Sequence, residues 1–250
     1  MTDYGAAGLL GVLVPQANTT VELELWALLP PDWSMLAARL TSDRGSIAER
    51  LVDYTARIDA TAAQFANAPV TALAFACTGA SYLAGTAEED AVVARVSAAR
   101  GVPLVTAARA STAALQAIGV RRVALLSPYP KDLTRASEAY WRAQGFDIVA
   151  TAGPALRTGD FHPIYAMQGD AVLESYRSLS GAGADAVLML GTGMATLRAL
   201  AVGRDEGLMP AISCNLALVW AATGAGDLTP WLDGAHWRAR LAALFPGDRA

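Results

Sequence analysis

Few side chains in this sequence can do covalent or proton-transfer chemistry at neutral pH. There are two cysteines, Cys77 and Cys214, two histidines, His162 and His236, and a single lysine, Lys131. Cys77 has the most suggestive setting. It ends the apolar run Leu73-Ala74-Phe75-Ala76 and opens into Thr78-Gly79-Ala80-Ser81, ahead of a helical stretch expected to begin near Thr86. A sulfur at such a loop tip, among free backbone N–H groups, is expected to ionise below the usual ~8.5 and to serve as nucleophile or proton donor. The competing reading is an inert small hydrophobe at a strand end.

Two further groups follow strand ends. Asn18-Thr19-Thr20 can grip a carboxylate through side chains and exposed amides, with Thr19 or Thr20 capping the stretch from Val21 to Glu24 while Asn18 faces a cleft. Tyr129 either donates its phenol to a substrate oxygen or closes the cleft wall. Lys131 lies in a Pro-Lys-Asp turn, a solvent setting rather than that of a pyridoxal phosphate Schiff base. Neither histidine has a second ligand at helical spacing, and the cysteines lack paired zinc-site spacing, so no metal is expected. No Gly-x-Gly-x-x-Gly or Gly-x-x-x-x-Gly-Lys loop follows a strand, so no nucleotide cofactor is expected.

The elements that must hold these residues alternate short apolar runs with Ala-rich helical stretches, the pattern of a parallel sheet covered on both faces. Strands are expected at Leu9–Val14, Ala37–Leu40, Val70–Ala76, Pro103–Val105, Arg122–Leu126, Asp147–Ala150, Ala186–Leu190 and Ala211–Ser213. The two halves echo one another. Gly11-Val12-Leu13-Val14-Pro15 parallels Ala124-Leu125-Leu126-Ser127-Pro128, and Leu73–Gly79 parallels Val187–Gly193, each ending in x-Thr-Gly. Val102–Thr106 likewise parallels Met209–Ser213. The expectation is an α/β chain of two four-stranded Rossmann-like domains related by a pseudo-twofold axis, residues 1–110 with 216–250 and residues 111–215. Ligands bind beyond the carboxyl ends of such strands, so Pro15–Thr20, Cys77–Gly79, Pro128–Tyr129, Gly191–Gly193 and Ser213–Asn215 should converge on the cleft.

Composition narrows the partners. The formal net charge of -4 with scattered arginines offers no field for nucleic acid. Apolar runs such as Val70–Cys77 fall well short of the ~20 residues that cross a bilayer. The first residues lack a basic stretch and apolar core, so a cytoplasmic protein without membrane association is expected.

Three segments carry a family resemblance. Val14-Pro15-Gln16-Ala17-Asn18-Thr19-Thr20-Val21-Glu22 resembles the first carboxylate-binding loop of the maleate cis-trans isomerase and arylmalonate decarboxylase branch of the aspartate/glutamate racemase superfamily. Ala76-Cys77-Thr78 resembles its first cysteine motif, and Gly119–Tyr129 the segment that opens its second half. The resemblance implies a cofactor-independent enzyme acting beside a carboxylate of a small mono- or dicarboxylic acid, in a homodimer or larger homo-oligomer. Cys77 is then catalytic, with Pro15, Asn18, Thr78, Gly79, Tyr129, Gly191, Thr192, Gly193 and Asn215 around the substrate.

The sequence departs from the pattern in two places. Gly191 stands where family racemases carry a second cysteine, and the second substrate-binding asparagine expected in maleate isomerases is missing from Asp160-Phe161-His162-Pro163. One thiol suits addition to a C=C bond and release after rotation, a maleate isomerase-like reaction. It also suits protonation of an enediolate after loss of carbon dioxide, an arylmalonate-type decarboxylation with the cysteine in the first half. Racemisation needs two opposed acid/base groups and returns only if Cys214 reaches the cleft. A non-catalytic small-acid binding protein is the remaining alternative. The segment Trp231–Trp237 either joins a subunit contact or packs a C-terminal helix.

Overall fold

The computed structural model describes residues 3–155 and 163–244. The first half runs β1 (Gly8–Pro15), α1 (Val21–Leu28), β2 (Trp33–Leu40), α2 (Ile47–Ala56), α3 (Ile58–Ala62), β3 (Ala72–Phe75), α4 (Thr78–Ala84), α5 (Thr86–Arg100), β4 (Leu104–Thr106) and α6 (Ala107–Ala117). The second runs β5 (Arg122–Leu126), α7 (Lys131–Ala143), β6 (Asp147–Ala152), α8 (Gly169–Ser178), β7 (Ala186–Met189), α9 (Leu197–Asp205), β8 (Ala211–Ser213) and α10 (Cys214–Ala222). Two short helices, α11 (Thr229–Asp233) and α12 (Arg238–Leu244), follow.

All eight expected strands are present, in two parallel sheets ordered β2-β1-β3-β4 and β6-β5-β7-β8. The same connectivity is used twice, and the matched sequence segments occupy equivalent strands. Inner strands β3 and β7 are buried along their whole length, which is why they read as unbroken apolar runs. Edge strand β6 is only half covered and alternates between exposed and partly buried positions. Edge strand β2 begins at Trp33, before the expected Ala37, because its first residues pair with Gly8 to Gly11 of β1.

The two sheets meet through α6 and α10, which pack together and start identically. Thr106 accepts from the amide of Arg109 and Ser213 from that of Leu216, both at 3.1 Å, so each strand hands over to its helix through a hydroxyl cap. The alanines of α6 (Ala107, Ala110, Ala114) are buried and let α10 approach closely. Trp231 and Trp237 are also buried, and the Trp237 indole donates to the Trp231 carbonyl at 2.8 Å. The Trp231–Trp237 segment therefore packs inside this chain rather than presenting its tryptophans to a partner.

Candidate active site

The strand ends meet in a pocket between the sheets. Its wall takes Pro15 and Asn18 from the loop after β1, Cys77, Thr78 and Gly79 from the β3–α4 junction, Pro128 and Tyr129 after β5, and Thr192 and Gly193 after β7. It encloses about 70 Å³, well below the ~300–1,000 Å³ typical of sites for drug-sized ligands. Such a space suits a small acid.

Cys77 is the residue immediately before α4, which begins at Thr78 rather than near Thr86. The expected loop tip is therefore a helix start, and Thr86 opens the next helix, α5. The expected low thiol pKa is also corrected. Burial pushes Cys77 up to about 12, and the amides of Gly79 and Ala80 aimed at the sulfur pull it down only in part. Enclosure beneath two lobes costs the thiolate more than two N–H groups return. Near neutral pH the thiol is therefore protonated.

The loop Leu190-Gly191-Thr192-Gly193 enters from the second sheet; Thr192 and Gly193 line the pocket, whereas Gly191, expected there, does not. Gly191 adopts φ +80°, and a Cβ there would lie 2.9 Å from Ile164 Cδ1 and Pro128 Cγ and 3.0 Å from the Tyr129 hydroxyl. The position of a second cysteine is thus closed both by backbone conformation and by the phenol beside it. Tyr129 Oη and Thr78 Oγ1 are 2.8 Å apart, and burial raises the phenol well above its usual pKa, so it stays a donor. Gly193 leaves room for Tyr165, whose ring would be 2.5 Å from an added Cβ.

Asn18 does both jobs that the sequence divided between neighbours. Its Oδ1 accepts from the amides of Thr20 (2.9 Å) and Val21 (3.1 Å), capping α1, while Nδ2 donates to Thr192 Oγ1 at 3.3 Å. Thr20 instead donates its hydroxyl to the Gly193 carbonyl at 2.8 Å, and Thr192 donates to the Ala76 carbonyl at 2.7 Å. These bonds tie the two strand-end loops across the cleft.

Asn215 is corrected: it does not line the pocket. It is fully buried behind it, donating through Nδ2 to Glu24 Oε2 (2.8 Å) and the Thr192 carbonyl (3.1 Å). Glu24 in turn accepts from the amides of Thr196 and Leu197 and caps α9. Burial raises its pKa. Cys214 likewise lies outside the pocket wall, with no exposed surface, between the Ser111 hydroxyl and the Gly191 amide, its thiol raised by burial to about 11. The two-thiol racemase arrangement lacks its second sulfur in the pocket. His236 packs edge-on against Trp231 with Nε2 3.0 Å from the Leu28 carbonyl. His162, and with it most of the Asp160–Pro163 segment, lies outside the described residues.

Sequence reasoning missed the contribution of α2. Ile47, Arg50, Leu51 and Tyr54 all line the pocket, at the i, i+3, i+4, i+7 spacing of one helix face. Ser46 and Glu49 form a reciprocal capping box at its start. That Ser-x-x-Glu signal, followed by an arginine inside an apolar stripe, was available in the sequence. Tyr165, on the short helical turn Pro163–Ala166, also went unnoticed.

Comparison with known proteins now bears directly on this geometry. The arylmalonate decarboxylase family model matches residues 10–236. The chain belongs to that family. It is 28% identical over 236 residues to the maleate isomerase of Nocardia farcinica, covering 90% of this chain and 93% of that one. The crystal structure of the maleate isomerase Iso from Pseudomonas putida superposes with a TM-score of 0.79 at 25% identity, over 87% of this chain and 92% of that one. A mutant Nocardia farcinica maleate cis-trans isomerase carrying a covalently bound succinylcysteine intermediate matches with a TM-score of 0.73 at 26% identity, covering 86% and 90%. The chain is thus an α/β member of a family of isomerases and decarboxylases, on the branch that its loops and cysteine resemble. Among the described residues, no helix is long and apolar enough to cross a membrane.

Proposed function

We propose that the protein is a cofactor-independent cis-trans isomerase of a small unsaturated dicarboxylic acid, maleate or a close analogue, with Cys77 as its nucleophile. The observation that carries this reading is a lone sulfur in the wall of a small pocket that also holds a phenol donor, with Gly191 packed against that phenol. The succinylcysteine of the Nocardia relative supports it.

The chemistry follows from the protonation state. Because burial keeps the thiol protonated near neutral pH, addition transfers both its parts. The S–C bond forms as the S–H bond breaks, the π pair moves toward the adjacent carboxylate, and the thiol proton ends on the neighbouring carbon. The former double bond is then single and free to rotate. Reversal from the rotated adduct returns the proton to sulfur and releases the trans acid. Negative charge builds on carboxylate oxygens during addition. Donors placed to meet it are the one hydrogen that the paired Tyr129 and Thr78 hydroxyls leave free and the amides of the cysteine turn. Asn18 holds the Thr192 loop in register.

This reading treats residues 1–110 with 216–250 and residues 111–215 as two lobes of a cytoplasmic homodimer or larger homo-oligomer. The match to the arylmalonate decarboxylase family model favours a second reaction, protonation by Cys77 after carbon dioxide is lost. The test is turnover of maleate, with a panel of arylmalonates in parallel, by the purified chain and by Cys77→Ala. Removal of the sulfur is expected to cost at least ~4 kcal/mol of transition-state stabilisation, about a thousandfold, with the fold retained. Undiminished turnover in that variant rejects the mechanism. Carbon dioxide release from arylmalonates, with maleate inert, transfers the assignment to decarboxylation.

A further inference from the structure

The Leu190–Gly193 loop carries two glycines, and backbone conformation explains only the first. Gly191 has a positive φ and Gly193 does not, so the φ of Gly193 does not call for glycine. A neighbour calls for it instead. A Cβ at 193 would lie 2.5 Å from Cε1 and 2.9 Å from Cδ1 of Tyr165, closer than carbon atoms pack. The Tyr165 ring therefore sits in the notch that the missing side chain leaves. Ile164 fills the space beside the other glycine, its Cδ1 2.9 Å from a Cβ built on Gly191. The turn Pro163–Ala166 thus seats two consecutive side chains on one loop of the second sheet.

That loop is tied down from the first half of the chain. The Thr20 hydroxyl donates to the Gly193 carbonyl at 2.8 Å, and Thr192 donates to the carbonyl of Ala76, the residue before Cys77, at 2.7 Å. Cys77, Ile164, Tyr165 and Gly193 all line the same pocket. A ring seated on a loop held at two points acts as a wall, and the pocket it bounds encloses about 70 Å³. Once the double bond and carboxylates of a small diacid are inside, an aryl substituent meets the space that the Tyr165 ring already fills.

We propose that Tyr165 is a specificity-determining residue whose ring excludes aryl-bearing acids from Cys77 and so restricts the pocket to small unsaturated diacids. The inference rests on the isomerase reading for the identity of the substrate, but the exclusion itself is tested without turnover.

The test alkylates Cys77 in the whole chain with iodoacetamide and with its N-phenyl derivative at one pH, scoring the Cys77 peptide by mass spectrometry. The rate ratio, normalised to that of a free thiol, cancels the ionisation of Cys77 and the intrinsic reactivity of each reagent. In the unaltered protein the N-phenyl reagent should lag about tenfold or more, the scale on which forcing a ring into filled space is penalised. Tyr165→Ala is expected to remove most of that lag and Tyr165→Leu part of it, whereas Tyr165→Phe, which keeps the ring, retains it. Tyr165 is half-buried on a short turn outside both sheets, and thermal unfolding checks that each variant is folded. Arylmalonates should protect Cys77 of Tyr165→Ala from iodoacetamide and leave that of the unaltered protein unprotected. No lag in the unaltered protein, a lag that survives in the folded alanine and leucine variants, or its loss in Tyr165→Phe overturns the proposal. So does carbon dioxide release from arylmalonates by the unaltered chain. A lag that depends on the ring, with maleate inert, upholds the exclusion and removes the isomerase; maleate turnover without such a lag does the reverse.

Discussion

Alkylation of Cys77 by iodoacetamide offers a direct measure of what burial does to the nucleophile. Its thiol is raised to about 12 from a reference of 9.0, a thousandfold loss of thiolate near neutrality, or about 4 kcal/mol against the charged form. The more basic thiolate is intrinsically more reactive, and a Brønsted slope of ~0.4–0.5 returns roughly twentyfold. The net expectation is alkylation about fiftyfold slower than that of an exposed thiol of ordinary pKa, before any steric hindrance. Between pH 7 and 10 the rate should climb tenfold per pH unit without a plateau. The assay follows pseudo-first-order loss of the unmodified Cys77 peptide, which separates it from Cys214. A plateau below pH 9 would refute the reasoning, since it requires the Gly79 and Ala80 amides to outweigh desolvation. The same shift has a stability consequence. A group whose folded pKa is raised contributes stability that is full below its unfolded value and lost as pH rises through the folded one. The fold should therefore weaken between pH 9 and 12, with a shallower slope in Cys77→Ala.

Gly191→Cys, which places a second thiol at the repeat position that matches Cys77, is expected to cost about 2–4 kcal/mol, from a positive φ imposed on a side chain and from crowding against Ile164, Pro128 and the Tyr129 hydroxyl. Thermal unfolding reports it, and a melting temperature equal to that of the unaltered protein counts against the closed geometry. Glu24→Ala removes the acceptor for the Thr196 and Leu197 amides and for Asn215 Nδ2, and is expected to destabilise by about 2–4 kcal/mol once relief of the buried carboxylate is set against the unpaired donors. Because burial raises the Glu24 pKa, its contribution is full below the unfolded 4.5 and declines as pH rises through the folded value. Urea midpoints measured across that range should lose this slope in Glu24→Ala, and an identical slope in both proteins would sink the assignment.

Much of the fold was legible because the central strands are covered on both faces. Leu73–Phe75 and Val187–Met189 had to be continuous apolar runs, and the x-Thr-Gly after each marked where the chain turns into the cleft. Asn18 was legible as a candidate, but not its double duty. A single side chain satisfied α1 through its oxygen and the opposite loop through its nitrogen, which depends on a partner half a chain away. Asn215 looked equivalent to Asn18 from its strand-end position, yet the start of α10 turns it away from the pocket and onto Glu24. The α2 stripe was written in the spacing of Ile47, Arg50, Leu51 and Tyr54, but nothing local says that its inward face looks onto Cys77.

By itself the sequence determined the repeat, the two four-stranded units that it implies, the sulfur at a strand end and the glycine in place of its counterpart. These depend on residue type and period, which are properties of neighbours along the chain. The tertiary structure alone decided that the thiol is protonated, that the phenol of Tyr129 closes the space beside Gly191, and that Arg50 faces the same pocket. Desolvation and opposition across a cleft arise from the packing of segments distant in sequence, and no local pattern encodes the dielectric that two lobes create when they close over one atom.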